Sequence, residues 1–253
     1  MTAHEHLRYD VSDRSAEISL ARPPVNALNL SFLEQLLVAL RRAADDDDVR
    51  AVVLTSSLPD RFSAGLDLAM LKSPSDVRGL LDKLYVELAE VQHDLGKPSI
   101  AAVGGAARGG GMTLAISCDV LIAGQNATFG YPEIDLGLVP AIHFLHLPRI
   151  VGRHRAFELL FSGRTFDAAE AASLGLVSRV VADEKVREEA RTLAQVFARK
   201  SRAAMRLGRA AFRRANGYGR GIADAVETFC EAAGTADAQE GVRAFMEKRS
   251  PNW

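Results

Sequence analysis

Short apolar segments alternate with segments of helical periodicity along most of the chain. In Ala16–Leu20 the apolar residues fall on one face and the polar residues on the other, which predicts a strand. Three further segments are short and mainly apolar, as are strands buried in a parallel sheet: Arg50–Thr55, Ser99–Val103 and Val120–Ala123. Residues 76–95 carry apolar side chains at helical spacing. This alternation predicts an α/β fold built from repeated ββα units.

The first helix is preceded by a turn, because Arg22-Pro23-Pro24 cannot continue a strand or a helix. Ser31 is a plausible N-cap, and Glu34 three residues later completes a capping box, so we expect the helix to start there. It leads into the acidic run Asp45–Asp48. A solvated turn is the favoured interpretation of this run, and a metal site is the alternative.

From Pro148 onward the pattern becomes mainly helical. We expect residues 1–190 to form the core that carries the site, and residues 191–253 to form a helical C-terminal region. A basic cluster in this region is interpreted as a solvated helix face or a subunit contact, with a ligand phosphate as the alternative. The predicted helices are Arg153–Ser162, Asp167–Leu174, Lys185–Arg199, Arg202–Asn216, Ile222–Cys230 and Glu240–Lys248, and the cluster comprises Arg199, Lys200, Arg202, Arg206, Arg209, Arg213 and Arg214.

Composition narrows the class of protein. The 253 residues are 48% hydrophobic and carry a net charge of −1, so neither nucleic acid nor an anionic membrane is expected as the main partner. The two cysteines, Cys118 and Cys230, suggest a reducing compartment without a disulfide framework. The N-terminus has no apolar signal core, and no apolar run reaches the ~18 residues of a membrane span. We therefore expect a soluble cytoplasmic protein.

The most informative stretch is Lys97–Pro140, which has five glycines within eight residues: Gly104, Gly105, Gly109, Gly110 and Gly111. Backbone N–H groups at glycines are open to close approach, and a helix expected to start at Met112 would direct its positive end at the same point. The segment lacks both the Walker sequence and the G-x-G-x-x-G register. A turn required only by packing is the other alternative, but five glycines cost considerable chain entropy. The pattern therefore predicts a site for a negatively charged oxygen.

A second small-residue loop, Ser63–Asp67, would by itself be an ordinary strand-to-helix turn. Paired with the glycine segment, it offers a second backbone N–H. Two N–H groups that converge on one oxygen form an oxyanion hole, and each donor contributes about 10²–10³ in rate. Glu133 follows Gly110 by 23 residues and is the candidate for moving a proton. A purely structural role for Glu133, and acid–base chemistry at Asp135 instead, are the alternatives.

These segments together carry a family resemblance. The chain resembles the crotonase, or enoyl-CoA hydratase/isomerase, superfamily in RPPVNALN (Arg22–Asn29), FSAGLDL (Phe62–Leu68), KPSIAAVGGAARGGGMTLAISCD (Lys97–Asp119), ATFGYPEIDLGLVP (Ala127–Pro140) and AAEAASLGLVSRVV (Ala168–Val181). The resemblance implies a spiral of ββα units and a helical C-terminal region that takes part in trimerisation. It also implies a homotrimer or a hexamer made of two trimers, and a coenzyme A thioester as ligand.

Carried over to this sequence, the resemblance places the oxyanion-hole donors at the backbone N–H groups of Leu66 and Gly110. It places Ala64, Thr113, His143 and the segment Asp67, Leu68 and Ala69 along the bound thioester. Hydratases of the family have two glutamates. The second is present as Glu133, but Thr113 stands at the position of the first. A threonine hydroxyl can orient water but is a poor base.

One carboxylate is sufficient to move a double bond. Glu133 would take a proton from C2 of a 3-enoyl thioester and return it at C4, while the oxyanion hole holds the dienolate. Isomerisation to the 2-enoyl thioester is therefore the leading hypothesis. The alternatives are a weak or specialised hydratase in which Thr113 or His143 helps to place water, decarboxylation or thioester hydrolysis through the same enolate, and a non-catalytic acyl-CoA-binding protein.

The segment Ile142–Phe144 is bulky where hydratases often have small residues, so it should reshape the acyl pocket. His143 within it is either a second acid–base group or a packed histidine. His93, His146 and His154 show no metal-ligand spacing with carboxylates. We expect no metal and no redox cofactor, with coenzyme A present only as part of the substrate.

Overall fold

The computed structural model describes residues 5–71, 74–216 and 222–252, in which two β-sheets lie among helices. In the larger sheet β1 and β2 are antiparallel, and every other neighbouring pair is parallel. With strands numbered along the chain, its spatial order is β1 (Leu7–Ser12), β2 (Ser15–Leu20), β3 (Ala51–Ser56), β5 (Ser99–Val103), β7 (Val120–Gly124) and β10 (Arg179–Val181). The smaller sheet has the order β4 (Arg61–Ser63), β6 (Ala106–Arg108), β8 (Thr128–Gly130) and β9 (Thr165–Asp167).

The two sheets share a repeating connection. The strands β3, β5 and β7 lie side by side in the larger sheet, and the strand that follows each of them, β4, β6 or β8, lies in the smaller sheet. Helices connect the first two of these strand pairs to the next. This arrangement confirms the expected α/β fold, a crotonase-like spiral of ββα units.

The helices surround the sheets and form much of the remaining core. A π-helical stretch, Asp82–Glu87, joins α2 and α3 into one continuous helical segment. The helices are α1 (Leu30–Asp45), α2 (Pro74–Leu81), α3 (Leu88–Asp94), α4 (Gly110–Ser117), α5 (His143–Val151), α6 (Arg153–Ser162), α7 (Ala168–Ser173), α8 (Val186–Ala198), α9 (Arg202–Asn216), α10 (Ile222–Ala233) and α11 (Ala236–Met246). None of the helices described is long and apolar enough to cross a lipid bilayer.

Several helix starts differ from the prediction. Helix α1 begins at Leu30, because Leu28 is still held in a bridge to Leu66 and Asn29 is therefore the last extended residue. The side chain of Asn29 caps the helix by accepting from the Phe32 N–H at 2.8 Å, so the predicted Ser31 capping box is wrong. After the Ser63–Asp67 loop the chain forms only a 3₁₀ turn, Leu68–Met70, whose cap is Asp67.

The glycine-rich helix also starts earlier than predicted. Helix α4 begins at Gly110 rather than at Met112, because the carbonyl oxygen of Gly109 already accepts from the N–H groups of Met112 and Thr113 at 2.8 and 3.2 Å. Gly110 is thus the first residue of the helix, and its own N–H has no partner within the helix. Helices α6 and α9 match their predicted bounds. Helix α10 ends at Ala233 rather than at Cys230, and α11 spans Ala236–Met246 rather than Glu240–Lys248.

Helix α8 covers one face of the larger sheet. Its residues Val186, Ala190 and Ala194 pack on the apolar residues of β3 and β5, in a cluster separate from the main core. The predicted boundary between the core and the C-terminal region, at residues 190 and 191, falls within α8. The division into these two regions stays a prediction.

Part of the basic cluster is structural rather than solvated. Arg209 on α9 is buried, and its Nε donates to Asp119 Oδ2 at 2.7 Å, while Arg213 approaches Asp119 Oδ1 at 3.2 Å. Arg202 pairs with Asp47 in the acidic run, which forms the turn after α1 as predicted. The solvated-face interpretation is therefore wrong for Arg209, because this residue attaches α9 to the end of α4.

Candidate active site

The loop after β4 and the glycine segment after β6 lie side by side, because β4 and β6 are parallel neighbours. A Cβ atom on Gly65 would lie 2.8 Å from the carbonyl oxygen of Arg108 and 3.1 Å from the nitrogen of Gly110. Gly65 also has φ +90°, which other residues rarely adopt. Only glycine at this position lets the two segments approach so closely.

The two expected oxyanion-hole amides are brought together by this approach. A Cβ atom on Gly110 would lie 3.5 Å from the Leu66 nitrogen. On either side of Leu66, the bonds from Leu28 N–H to Gly65 C=O at 2.8 Å and from Asp67 N–H to Leu28 C=O at 2.9 Å hold the loop extended. Within the described residues, the N–H groups of Leu66 and Gly110 donate to no acceptor. Two adjacent donors of this kind can bind one oxygen that carries negative charge.

The carboxylate of Glu133 lies against the same glycine segment. Glu133 belongs to a 3₁₀ turn, Pro132–Leu136, and a Cβ atom on Gly109 would lie 2.7 Å from its Oε1. Part of the residue reaches solvent, but Oε2 is buried and has no hydrogen-bond partner among the described residues. Burial of the charge raises the pKa of Glu133 to about 7. Near neutral pH such a carboxyl can both accept and donate a proton.

Two tyrosines that the sequence reasoning did not identify lie close to Glu133. The hydroxyl of Tyr131 is buried and has no partner within the described part of the chain. Burial and, secondly, the charge of Glu133 raise the pKa of Tyr131, and the same causes raise the pKa of Tyr85. Both phenols are therefore neutral. In the sequence both tyrosines look like ordinary core residues, so nothing there indicated that they lie beside the candidate base.

Thr113 and His143 are brought together as the beginning of a buried hydrogen-bonded chain. Thr113 Oγ1 lies 3.3 Å from His143 Nε2, and His143 Nδ1 lies 3.3 Å from His146 Nε2. The His143 ring also packs against Tyr131, with ring centroids 4.5 Å apart. Burial, and then the neighbouring His146, lower the pKa of His143 well below its usual value. His143 is therefore a neutral imidazole that touches Thr113.

A cavity of about 580 Å³ adjoins these groups, a size typical of ligand pockets. Tyr85, Thr113 and Ile142 line it near the candidate site, and Arg213 and Asp119 line it farther along. Tyr85 belongs to the π-helical stretch, a rare conformation that often occurs at functional sites. Ile142 of the bulky segment after Pro140 lines this cavity, whereas His143 does not. The effect of the segment on an acyl pocket stays a prediction.

The remaining predicted substrate-binding residues flank Leu66 in the segment after β4, which we name the Leu66 rim, and they are not among the residues that line the cavity. Ala64 and Ala69 are exposed, and Leu68 is half-buried. The carboxylate of Asp67 accepts from the Ala69 N–H at 3.3 Å and pairs with Arg22 at 2.9 Å. Arg22 also donates to the carbonyl oxygen of Ala27 at 2.7 Å, so it connects this rim to the proline-rich turn. The turn was predicted from the sequence, but this role of Arg22 was not.

Metal-binding groups are not gathered in the described part of the chain, where no three His, Cys, Asp or Glu side chains are placed to hold an ion. The expectation that the protein needs no metal or redox cofactor stays a prediction. Asp135, the alternative acid–base residue, is exposed, and its carboxylate lies against Gly163 rather than against Gly109.

Comparison with known proteins gives consistent matches over nearly the whole chain. The profile of the family described as Enoyl-CoA hydratase/isomerase matches residues 12–253. A probable enoyl-CoA hydratase from Mycobacterium bovis is 37% identical over 257 residues, covering 99% of this chain and 98% of that protein. A crotonyl-CoA hydratase from Syntrophomonas wolfei is 34% identical over 259 residues, covering 99% and 98%.

Solved structures agree with these sequence matches. The human mitochondrial delta3-delta2-enoyl-CoA isomerase superimposes with a TM-score of 0.87 at 27% identity, covering 96% of this chain and 98% of the isomerase. DspI of Pseudomonas aeruginosa superimposes with a TM-score of 0.81 at 32% identity, covering 98% and 97%. With its ββα spiral, its paired amides and these matches, the chain belongs to the enoyl-CoA hydratase/isomerase family and is an enzyme of that family.

Proposed function

We propose that the protein moves the double bond of a 3-enoyl coenzyme A thioester to give the 2-enoyl thioester. The observation that carries this proposal is the carboxylate of Glu133, which lies against Gly109 with its pKa raised to about 7. A single group that both accepts and donates a proton near neutral pH is what a double-bond shift needs. The other position that would supply a carboxylate is Thr113.

In the proposed reaction, the ionised Glu133 removes a proton from C2, and the released electron pair spreads over the diene and the thioester oxygen. The N–H groups of Leu66 and Gly110 hold that oxygen while it carries the negative charge. Glu133 then returns its proton to C4, which leaves the double bond between C2 and C3. No atom is gained or lost, and coenzyme A takes part only as a portion of the substrate.

Hydration of a 2-enoyl thioester is the second candidate function. Two curated relatives are named as hydratases, which favours it, and Thr113 offers a hydroxyl at the cavity wall. Against an efficient hydratase stands the absence of a second carboxylate at Thr113, since water must be held and deprotonated as carbon is protonated. Decarboxylation, thioester hydrolysis and simple acyl-CoA binding have no further observation in their favour.

The test is to incubate the purified protein with 3-hexenoyl-CoA and, separately, with crotonyl-CoA, and to follow the products by chromatography. Conversion of the first to 2-hexenoyl-CoA, with much slower hydration of the second, supports the isomerase. Rapid hydration of crotonyl-CoA with no isomerisation contradicts it. If neither substrate turns over but both bind, a binding protein is the better description.

Assembly into a homotrimer or hexamer belongs to the same proposal. Phe157 and Phe161 on α6 are exposed and stacked, with ring centroids 4.3 Å apart, and Phe212 on α9 is also exposed. Exposed aromatic residues of this kind favour contacts between subunits. The mass in solution, measured by light scattering, tests the proposal, and a monomer would contradict it. The cytoplasmic location remains a prediction.

A further inference from the structure

A groove of about 140 Å³ lies at the end of the larger sheet where β3 and β5 begin. Arg50 directly precedes β3, and residues 96–98, which also line the groove, lead into β5. The glycines of the candidate active site come after the other end of β5, which lies about 13 Å away at the rise of a strand. The groove is therefore separate from the paired amides and from the proposed isomerisation.

The groove is strongly basic. Five cationic side chains line it, and among the described residues that line it Asp94 is the single acidic one. The cations come from segments that are far apart in sequence, so only the fold gathers them. They are Arg50 before β3, Lys97 before β5, Lys200 in the link between α8 and α9, and Arg202 and Arg206 on α9.

Lys97 is the buried member of this set, with 7% of its surface exposed. Its Nζ donates to the carbonyl oxygens of Ala43 and Asp46, at the end of α1, at 2.5 and 2.6 Å. An ammonium group has three N–H donors, so one remains after these two bonds. Burial and, secondly, the charge of Arg202 lower the pKa of Lys97, so the cations of the groove repel one another.

The acidic run Asp45–Asp48 neutralises only part of this charge. It lies beside the groove without lining it, and one of its carboxylates pairs with Arg202. In the described part of the chain, Arg50, Lys200 and Arg206 form no ion pair. An anion with several oxygen atoms would supply the partners that these three cations lack.

We propose that this groove binds an anion of the phosphate class, either inorganic phosphate or the phosphate group of a small phosphorylated metabolite. Guanidinium groups bind phosphate oxygens in pairs, and an ammonium binds them as a point charge. The bound anion would connect α9 to the segments that lead into β3 and β5, because its cationic ligands come from all three. The proposal does not depend on the isomerase, since none of the five cations lines the larger cavity beside Glu133.

The experiment titrates the full-length protein with inorganic phosphate in a calorimeter and follows thermal unfolding in the same buffers. We expect one saturable phosphate per chain. The midpoint of unfolding should rise with phosphate and stay unchanged with acetate at the same ionic strength, because only the ligand of the folded state stabilises it. No saturable binding, or an equal rise with acetate, would overturn the proposal.

A pair of double variants separates the groove from the general charge of the protein. Lys200→Met with Arg206→Met keeps the apolar stems but removes two cations, and it should weaken phosphate binding about tenfold. Arg199→Met with Arg214→Met changes the net charge equally, but both residues are exposed and lie outside the groove, so binding should be unchanged. Equal losses in the two double variants would overturn the proposal.

Competition identifies the source of the phosphate. Saturating hexanoyl-CoA should leave the phosphate affinity unchanged, and displacement of phosphate would overturn the proposal by making the groove part of the thioester site. Tighter binding of glycerol phosphate than of inorganic phosphate would support a metabolite as the natural ligand, and the reverse order would support the free anion. Because no readout needs turnover, failure of this proposal and failure of the isomerase are distinguishable.

Discussion

Two glutamates that are wholly or partly buried in this protein behave in opposite ways. Glu17 on β2 is 7% exposed and accepts hydrogen bonds from Arg187 and Arg191, one turn apart on α8. Burial by itself raises the pKa of Glu17, but the two arginines outweigh it and hold the pKa below its usual value. Among the described residues Glu133 has no ion pair and its Oε2 has no hydrogen-bond partner, so burial raises the pKa of Glu133 to about 7. Whether a buried carboxylate attaches a helix to a sheet or moves protons is thus decided by the cation beside it.

Among the tests of this difference between the two glutamates, replacing Glu133 should have the largest effect, which is a loss of activity. Glu133→Gln removes the proton-transfer group and should lower the isomerisation rate by about 10²–10⁴-fold. Steady-state kinetics with 3-hexenoyl-CoA measure this change. Asp135→Asn is the matched control, because Asp135 lies in the same turn but is exposed. A loss of activity in Asp135→Asn as large as in Glu133→Gln would contradict the assignment of the base.

The pH dependence of stability should differ in sign between the two glutamates. The native pKa of Glu133, about 7, lies above its ordinary value of 4.5, so its contribution to stability is greatest below pH 4.5 and is lost as the pH rises through 7. Relative to wild type, Glu133→Gln should therefore gain stability between pH 4.5 and 8, by at most about 3 kcal/mol.

Glu17 should show the reverse dependence, because its native pKa is lowered. Its stabilising contribution is present above its ordinary pKa and is lost as the pH falls through the native value. Glu17→Gln should thus be most damaging near neutral pH, and the loss should shrink on acidification. Urea unfolding of both variants across this pH range measures the two trends, and equal slopes would refute the comparison.

Replacing the two arginines beside Glu17 tests whether these cations decide how the buried carboxylate behaves. The double variant Arg187→Met, Arg191→Met leaves the buried Glu17 carboxylate without its charged partners and should lower the free energy of unfolding by about 1–3 kcal/mol. Both arginines are about half exposed, so solvent compensates for part of the loss. Adding Glu17→Leu should recover most of the stability, and failure to recover it would mean that the arginines act through packing.

The smallest effect on the free energy of unfolding is expected at an exposed ion pair that also involves α8. Arg179 on β10 pairs with Glu189 on α8, and the two side chains are 45% and 33% exposed. Arg179→Ala should change the free energy of unfolding by less than about 1 kcal/mol, since water solvates both charges. If Arg179→Ala lowered the free energy of unfolding as much as the double arginine variant does, the burial of Glu17 would not be the reason why Arg187 and Arg191 stabilise the protein.

Much of the fold followed from local patterns in the sequence. Apolar runs identified β3, β5 and β7 of the larger sheet, and helical spacing identified α6 and α9 to the residue. The clustered glycines and Glu133 also stood out, because their chemistry is visible without knowing their neighbours. Helix starts were less certain: the cap moved from Ser31 to Asn29 because a bridge between Leu28 and Leu66, distant in sequence, holds the chain extended up to that point.

Only the tertiary structure decided which groups meet. Periodicity shows that a residue faces the core but not what lies opposite, so Tyr85 and Tyr131 looked like ordinary core residues until the fold placed them beside Glu133. Thr113 and His143 are 30 residues apart in sequence, and only the fold brings the side chain of α4 to the first residue of α5. Protonation and hydrogen-bond direction depend on such contacts, since burial and partners set the pKa. The sequence by itself therefore determined the architecture and the candidate base, while packing decided how that base and its neighbours hold their protons.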